Sequence, residues 1–250
     1  MEARKRIIPA IDKMTLRKAL NLIAATAGSV DVFKIHATAE EQLAGNIKEF
    51  RREGAKIVWI DFKDFDMPDT VAERAAAVKD AGADWLTVHA HGGPKMVEAA
   101  VKNGPPFIIA VTLLSGTTDE MVAELYNPDG IDPALRQSRD QVTVKLARWG
   151  ECGGAHALVC APTQVGMLAA IPKFNGMFKI VPGTRSVGVA HHDQKQVDTP
   201  YNAIVNGADY LVGGRQITQA MDPLTALEAM ALEITPAIEI RQTAGNWKEE

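Results

Sequence analysis

Val58-Trp59-Ile60-Asp61-Phe62-Lys63-Asp64-Phe65-Asp66-Met67-Pro68-Asp69-Thr70 sets an Asp-x-Lys-x-x-Asp array where a short apolar run ends in a proline-containing turn. The apolar start reads as a strand, and the proline marks the passage to the next element. A lysine held between carboxylates keeps its proton, because opposite charges within a few ångströms favour the ammonium form. Such a lysine serves as a general acid or as an electrostatic clamp. Outward from this stretch, short β-rich runs alternate with longer helical patterns, eight of each. The strands are predicted over Arg6–Ile11, Val32–Ile35, Ile57–Phe62, Trp85–Ala90, Phe107–Leu113, Ala157–Cys160, Phe178–Val181 and Tyr210–Gly213. Between them Thr15–Thr26, Ala39–Arg52 and Thr70–Asp80 carry apolar residues at helical spacing.

Eight β-then-α units predict a (β/α)8 TIM barrel, one domain over residues 1–250. An open doubly wound sheet is the other arrangement, but no Gly-x-Gly-x-x-Gly fingerprint follows the first strand. Gly28, Gly54, Gly82, Gly104 and Gly207 each close a helical pattern shortly before a strand. The run Tyr126-Asn127-Pro128-Asp129-Gly130-Ile131-Asp132-Pro133 lengthens the connection after the fifth strand, ahead of a helix near Pro133–Trp149. A short polar tail is expected after Ile240.

Apolar residues at 46%, charged residues at 23% and a mean hydropathy of -0.07 describe a chain with ample core. A net charge of -4 and a pI near 5.9 argue against general nucleic-acid binding, so an anionic ligand needs local positive groups. Cys152 and Cys160 are too few for a disulfide framework and lack metal-ligand spacing, which points to a reducing compartment. No apolar stretch is long enough to span a membrane, and the opening residues lead into a strand instead of a signal-peptide core. The expected location is the cytoplasm.

In such a barrel, function collects at the C-terminal ends of the strands. There the sequence places Asp12 after the first strand, Lys34 in the second, Asp61 and Lys63 in the third with Asp66 just beyond, and His89 at the end of the fourth. One pair of this kind reads most simply as a structural salt bridge. Four alternating charges on adjacent strands are costly to desolvate and favour a functional reading. A second group lies near the chain's end: Val181-Pro182-Gly183-Thr184-Arg185, then Asp193-Gln194, then Gly213-Gly214-Arg215. Gly-Gly alone is often a plain turn. A strand, Gly-Gly-Arg and a helix from Asp222 in succession, after strands seven and eight, favour a phosphate site.

Taken in order, Asp12 after Ile8-Pro9-Ala10-Ile11, Lys34 in Val32-Phe33-Lys34-Ile35, Asp61-x-Lys63-x-x-Asp66-x-Pro68-x-Thr70, Val88-His89-Ala90, Val111-Thr112-Leu113-Leu114-Ser115, Pro182-Gly183-x-Arg185, Asp193-Gln194 and Gly214-Arg215 resemble the orotidine 5'-monophosphate decarboxylase family. The Asp-x-Lys-x-x-Asp piece is shared with related 3-keto-gulonate-phosphate decarboxylases and hexulose-phosphate synthases. Those relatives carry a metal-binding carboxylate at the second-strand position, where Lys34 stands here. A protonated lysine cannot coordinate Mg²⁺, so the resemblance implies the cofactor-free branch.

The resemblance implies decarboxylation of orotidine 5'-monophosphate to uridine 5'-monophosphate, the last step of de novo pyrimidine synthesis. Lys63 would stabilise the carbanion and donate the replacing proton. Lys34 and Asp61 would hold the array, and Asp66 would stand near the departing carboxylate. Asp12 and Lys34 would contact the ribose, Ser115 the base, and Arg185, Gln194, Gly214 and Arg215 the phosphate. Asp66 and Thr70 would reach into a partner's site, which implies a homodimer. The segment Ser186–Thr199, with Gly188, is the candidate lid. No phosphoribosyltransferase segment is seen, so the decarboxylase is expected to act as a separate protein.

Three departures stand out. His36 follows Lys34-Ile35 where the family usually has glycine, Ser115 replaces a threonine, and after the sixth strand Cys160-Ala161-Pro162-Thr163 leaves only Thr163 as a hydroxyl. His191-His192 reads as a solvated loop pair, and His89 as a barrel histidine or a support for the array. Cys160 reads as a small core residue. Trp59 and Trp85 read as strand packing or part of the helical layer. A metal-dependent sugar-phosphate enzyme and a silent nucleotide-binding barrel are the competing functions.

Overall fold

The computed structural model describes residues 2–36, 42–127, 129, 131–186 and 198–248. Eight strands run β1 Ile7–Ile11, β2 Val32–Ile35, β3 Ile57–Asp64, β4 Trp85–His89, β5 Phe107–Val111, β6 Ala157–Val159, β7 Phe178–Pro182 and β8 Tyr210–Gly213. Each pairs in parallel with the next, and β8 returns to β1, so the sheet closes into a barrel with helices between its strands. The predicted (β/α)8 barrel is the observed fold.

Alternation along the strands sorts the core into two layers. Ile8, Trp59, Ile109 and Tyr210 belong to the cluster inside the barrel, whereas Ile7, Ile60, Ile108 and Leu211 belong to the larger cluster that includes the helices. The strands are buried on both faces, which is why they read as nearly continuous apolar runs. Trp59 and Trp85 both belong to the interior cluster, so the helical-layer alternative is excluded.

Helix ends follow their caps. Thr15 accepts from the Lys18 amide, and Asp222 accepts from the amides of Leu224 and Thr225. The helix expected near Pro133–Trp149 is divided. Pro133–Leu135 forms a short 3-10 turn, and the α-helix runs Arg139–Cys152 from a Ser138/Gln141 capping box. The box satisfies two end amides reciprocally and so starts the helix later than the proline suggested. The opening residues also differ from expectation, with a helical turn at Glu2–Lys5 before β1. The last helix continues past Ile240 to Thr243, and in that added turn Arg241 is buried and pairs with Asp209 at 3.1 Å. The helix expected from Ala39 begins at Leu43, and residues 39–41 lie outside the described residues.

Candidate active site

The first three strands carry a chain of alternating charges. Lys34 Nζ lies 3.0 Å from Asp12 Oδ2 and 2.9 Å from Asp61 Oδ2, and Lys63 Nζ donates to Asp61 Oδ2 at 2.6 Å. Four sequence-predicted residues are therefore joined in one unbroken line. Their exposure is graded: the Asp61 and Lys34 side chains are 5% and 8% exposed, whereas Lys63 keeps 28%. Of the two ammoniums, Lys63 is the one that stays open to the cavity.

Its position depends on a bulge. β3 pairs Ile60 with Leu86 and then Asp64 with Val88, so four residues of β3 advance against two of β4. Lys63 sits inside this irregularity with φ 56°, a left-handed conformation that costs a non-glycine residue about 1–2 kcal/mol. Bulges of this kind re-aim side chains beside active sites.

Burial opposes the Lys34 ammonium, but Asp61 and Asp12 outweigh it and raise its pKa above the ordinary 10.5. Burial likewise opposes the Asp61 carboxylate, and Lys34 and Lys63 overcome it, holding the group below 3.8. Both groups stay charged at neutral pH. The signs differ for stability. The Asp61 contribution is complete above pH 3.8 and disappears as pH falls through its lowered folded value. The Lys34 contribution is complete below pH 10.5 and disappears as pH rises through its raised one. The stability difference between the parent chain and Asp61→Asn should therefore be flat across neutral pH and shrink below 3.8. Urea titrations at several pH values measure it, and a difference already falling between pH 7 and 5 would contradict this assignment.

Asp12, Lys34, Asp61 and Lys63 line a cavity of about 430 Å³ at the C-terminal ends of the strands. Among the described residues, Asp12 Oδ1 and Asp61 Oδ1 are buried without a hydrogen-bond partner. Such acceptors are costly unless a ligand donor meets them. Across the barrel from β3, the turn after β7 brings Gly183, with φ 85°, and Arg185 to the same cavity; Gly214 and Arg215 join them after β8. Arg185 is only 7% exposed and donates Nη1 to the Thr184 carbonyl at 2.7 Å. Burial and the neighbouring Arg215 push its pKa down, which places two guanidinium groups close together at this end of the cavity. Ser115 also lines the cavity.

Other residues fall elsewhere. Asp66 and Thr70 are exposed and are not among the residues lining this cavity. Asp66 Oδ1 instead accepts from the Met67 amide at 2.7 Å. Gln194, Asp193, Gly188 and the His191-His192 pair lie outside the described residues, as does the lid candidate apart from Ser186, Asp198 and Thr199. Thr163 is exposed and does not line the cavity, whereas Cys160 does. Cys160 is buried, which pushes its thiol up to about 12 and leaves it a neutral wall. His89 is brought down to about 4 by burial, His91 and Lys63, so it is a neutral imidazole beside the array.

Sequence reasoning missed Trp59 as part of the cavity wall. Its signal was available, because Trp59 lies two residues before Asp61 on one strand face.

A closed (β/α)8 barrel bearing a lysine–carboxylate chain on β1–β3 and two arginines after β7 and β8 belongs to the barrel enzymes with charged sites at their strand ends. The sequence model of the orotidine 5'-phosphate decarboxylase / HUMPS family matches residues 5–230, and the chain belongs to that family. Orotidine 5'-phosphate decarboxylase from Rhodopseudomonas palustris (strain BisA53) is 35% identical over 242 residues, covering 95% of this chain and 97% of its own. The enzyme of that name from Anaeromyxobacter sp. (strain K) is 34% identical over 236 residues, covering 92% and 99%. The crystal structure of orotidine 5'-phosphate decarboxylase from Lactobacillus acidophilus superposes with a TM-score of 0.74 at 26% identity, covering 92% of this chain and 99% of its own.

Proposed function

We infer that this chain decarboxylates orotidine 5'-monophosphate to uridine 5'-monophosphate and CO₂, the final step of de novo pyrimidine synthesis. The observation that carries the reading is the unbroken Asp12–Lys34–Asp61–Lys63 chain, which holds one partly open ammonium inside the cavity. As the bond to the carboxylate breaks, its electron pair stays on the ring carbon. A fixed cation beside that carbon stabilises the developing charge, and Lys63 then gives up the proton that takes the place of CO₂. Lys63 regains its proton from solvent after the product leaves. The chemistry calls for no cofactor, and the slot between Asp12 and Asp61 is already filled by the Lys34 ammonium. That favours the decarboxylase over the metal-dependent sugar-phosphate reading.

Asp12, Asp61 and Lys34 hold the ribose hydroxyls, supported by the two partnerless carboxylate oxygens. Ser115 contacts the base. Arg185, Gly214 and Arg215 grip the phosphate, together with Gln194. Phosphate binding far from the reacting carbon turns remote binding energy into rate. Arg215→Ala should raise KM about 10- to 100-fold, from the loss of a charge-assisted contact. Steady-state kinetics would check this, and an unchanged KM would remove Arg215 from the grip.

The working unit is a homodimer in which Asp66 and Thr70 enter the other copy's cavity. Three observations support it: both residues are exposed, neither lines its own cavity, and Asp66 is flanked by Phe65 and Met67, 61% and 70% exposed. Light scattering should give twice the 27.0 kDa chain mass. Residues 1–250 act as one catalytic domain, with a nucleotide substrate and neither nucleic acid nor membrane as partner, and work in the cytoplasm. No helix among the described residues is long and apolar enough to cross a membrane.

The assay is the ultraviolet absorbance of orotidine 5'-monophosphate with purified protein, with and without EDTA. Loss of the substrate band unaffected by EDTA is expected. No loss with folded protein would favour a silent binding barrel, and loss abolished by EDTA would favour the metal-dependent relatives.

A further inference from the structure

Behind the array, the bulge in β3 leaves an unusual carboxylate. Asp64, the last strand residue, is 7% exposed, and its Oδ2 has no hydrogen-bond partner among the described residues. Arg74, from the helix Pro68–Asp80, approaches it with Nη1 3.6 Å from Asp64 Oδ1. The same Nη1 stands 3.8 Å from Asp66 Oδ2. One guanidinium nitrogen therefore bridges the carboxylates on either side of Phe65. Asp66 is also held from its other oxygen by the Met67 amide. The turn that carries Asp66 is thus tied at one end to the strand and at the other to the helix.

From this bridge we propose that Arg74 is a positioning residue for Asp66, and that Asp64 is the anchor that holds Arg74 in place. The inference rests on the reading above, in which Asp66 stands beside the departing carboxylate. An exposed arginine reaching a single carboxylate is a weak surface contact. Here the second carboxylate is buried in the strand end, and its pull on the guanidinium keeps Arg74 at the turn beside Asp66. Burial raises the Asp64 pKa, Arg74 lowers it and Asp66 raises it again, consistent with all three charges feeling one another. The bridge does two things for Asp66. It fixes where the carboxylate stands before a second copy arrives, and it tempers the negative charge that Asp66 presents to a substrate carboxylate.

Arg74→Met should lower kcat about tenfold while KM changes less than about threefold, since small misplacement of a reacting-site group costs rate more than binding. Arg74→Lys, which keeps the charge, should recover most of the loss. In an Asp66→Asn background, Arg74→Met should cost little more, because a residue that acts through Asp66 has nothing left to position. Equal losses with and without Asp66 would overturn the proposal, as would a lowered melting temperature with unchanged kcat, which would mark Arg74 as a fold-stabilising partner of Asp64 alone. If the parent chain fails to turn over orotidine 5'-monophosphate, the functional reading fails instead, so the two failures are distinguishable.

Discussion

Lys63→Ala is expected to reduce turnover of orotidine 5'-monophosphate by about 10⁴-fold or more while leaving nucleotide binding measurable. Two losses meet in this one side chain. General acid catalysis contributes about 10²–10⁴-fold, and a preorganised charge aimed at the developing anion about 10²–10³-fold. Under the proposed function both losses fall on Lys63, which hydrogen-bonds Asp61 at 2.6 Å yet stays 28% exposed in the cavity wall. Binding should survive, since Asp12, Arg185 and Arg215 line the cavity independently of it. The fold should survive as well: removing Lys63 leaves Asp61 paired with Lys34 at 2.9 Å. Single-turnover kinetics beside a binding titration would separate the two quantities. A variant within tenfold of the parent rate would end the assignment of Lys63 as proton donor.

Asp61→Ala should damage stability and rate together, which distinguishes it from Lys63→Ala. Asp61 Oδ2 is the shared acceptor of both ammoniums, so its removal strips Lys63 of its partner and leaves Lys34 buried with Asp12 alone. Breaking a buried pair on one side leaves an uncompensated charge and costs about 3 kcal/mol or more. Turnover should fall about 10²-fold or more, because the lysine is no longer fixed where the charge develops. Urea unfolding at pH 7 should show a lower midpoint with an unchanged slope. A loss below about 1 kcal/mol would mean that the chain of charges is far better hydrated than its 5% and 8% exposures imply. Asp61→Asn should be milder on stability, since the amide oxygen still accepts from both lysines while carrying no charge.

Strand periodicity carried the barrel directly, because parallel strands covered on both faces must be short apolar runs, and the helices between them show their own spacing. β2 and β8 lie where the residues placed them, and the other six strands differ only at their ends. The charged residues at those ends were legible for a related reason. Lysine and aspartate inside an apolar strand are rare enough to need a purpose. Residue order alone could not decide which of them meet. Lys34 and Asp61 are 27 positions apart in the chain and 2.9 Å apart in space, a distance set by the register that places Lys34 opposite Trp59. Alternation predicts inward and outward faces but carries no sign of a bulge, so the left-handed backbone at Lys63 came only from the folded chain. The same irregularity buries Asp64 beside Arg74, two residues that a reading by strand and helix periods leaves unconnected. Covalent order and hydrophobic period thus dictated the barrel and its charged rim. Closure of the sheet, strand register and one bulge then determined which ammonium faces the cavity and which carboxylates face away, because those depend on backbone pairing between residues distant in sequence.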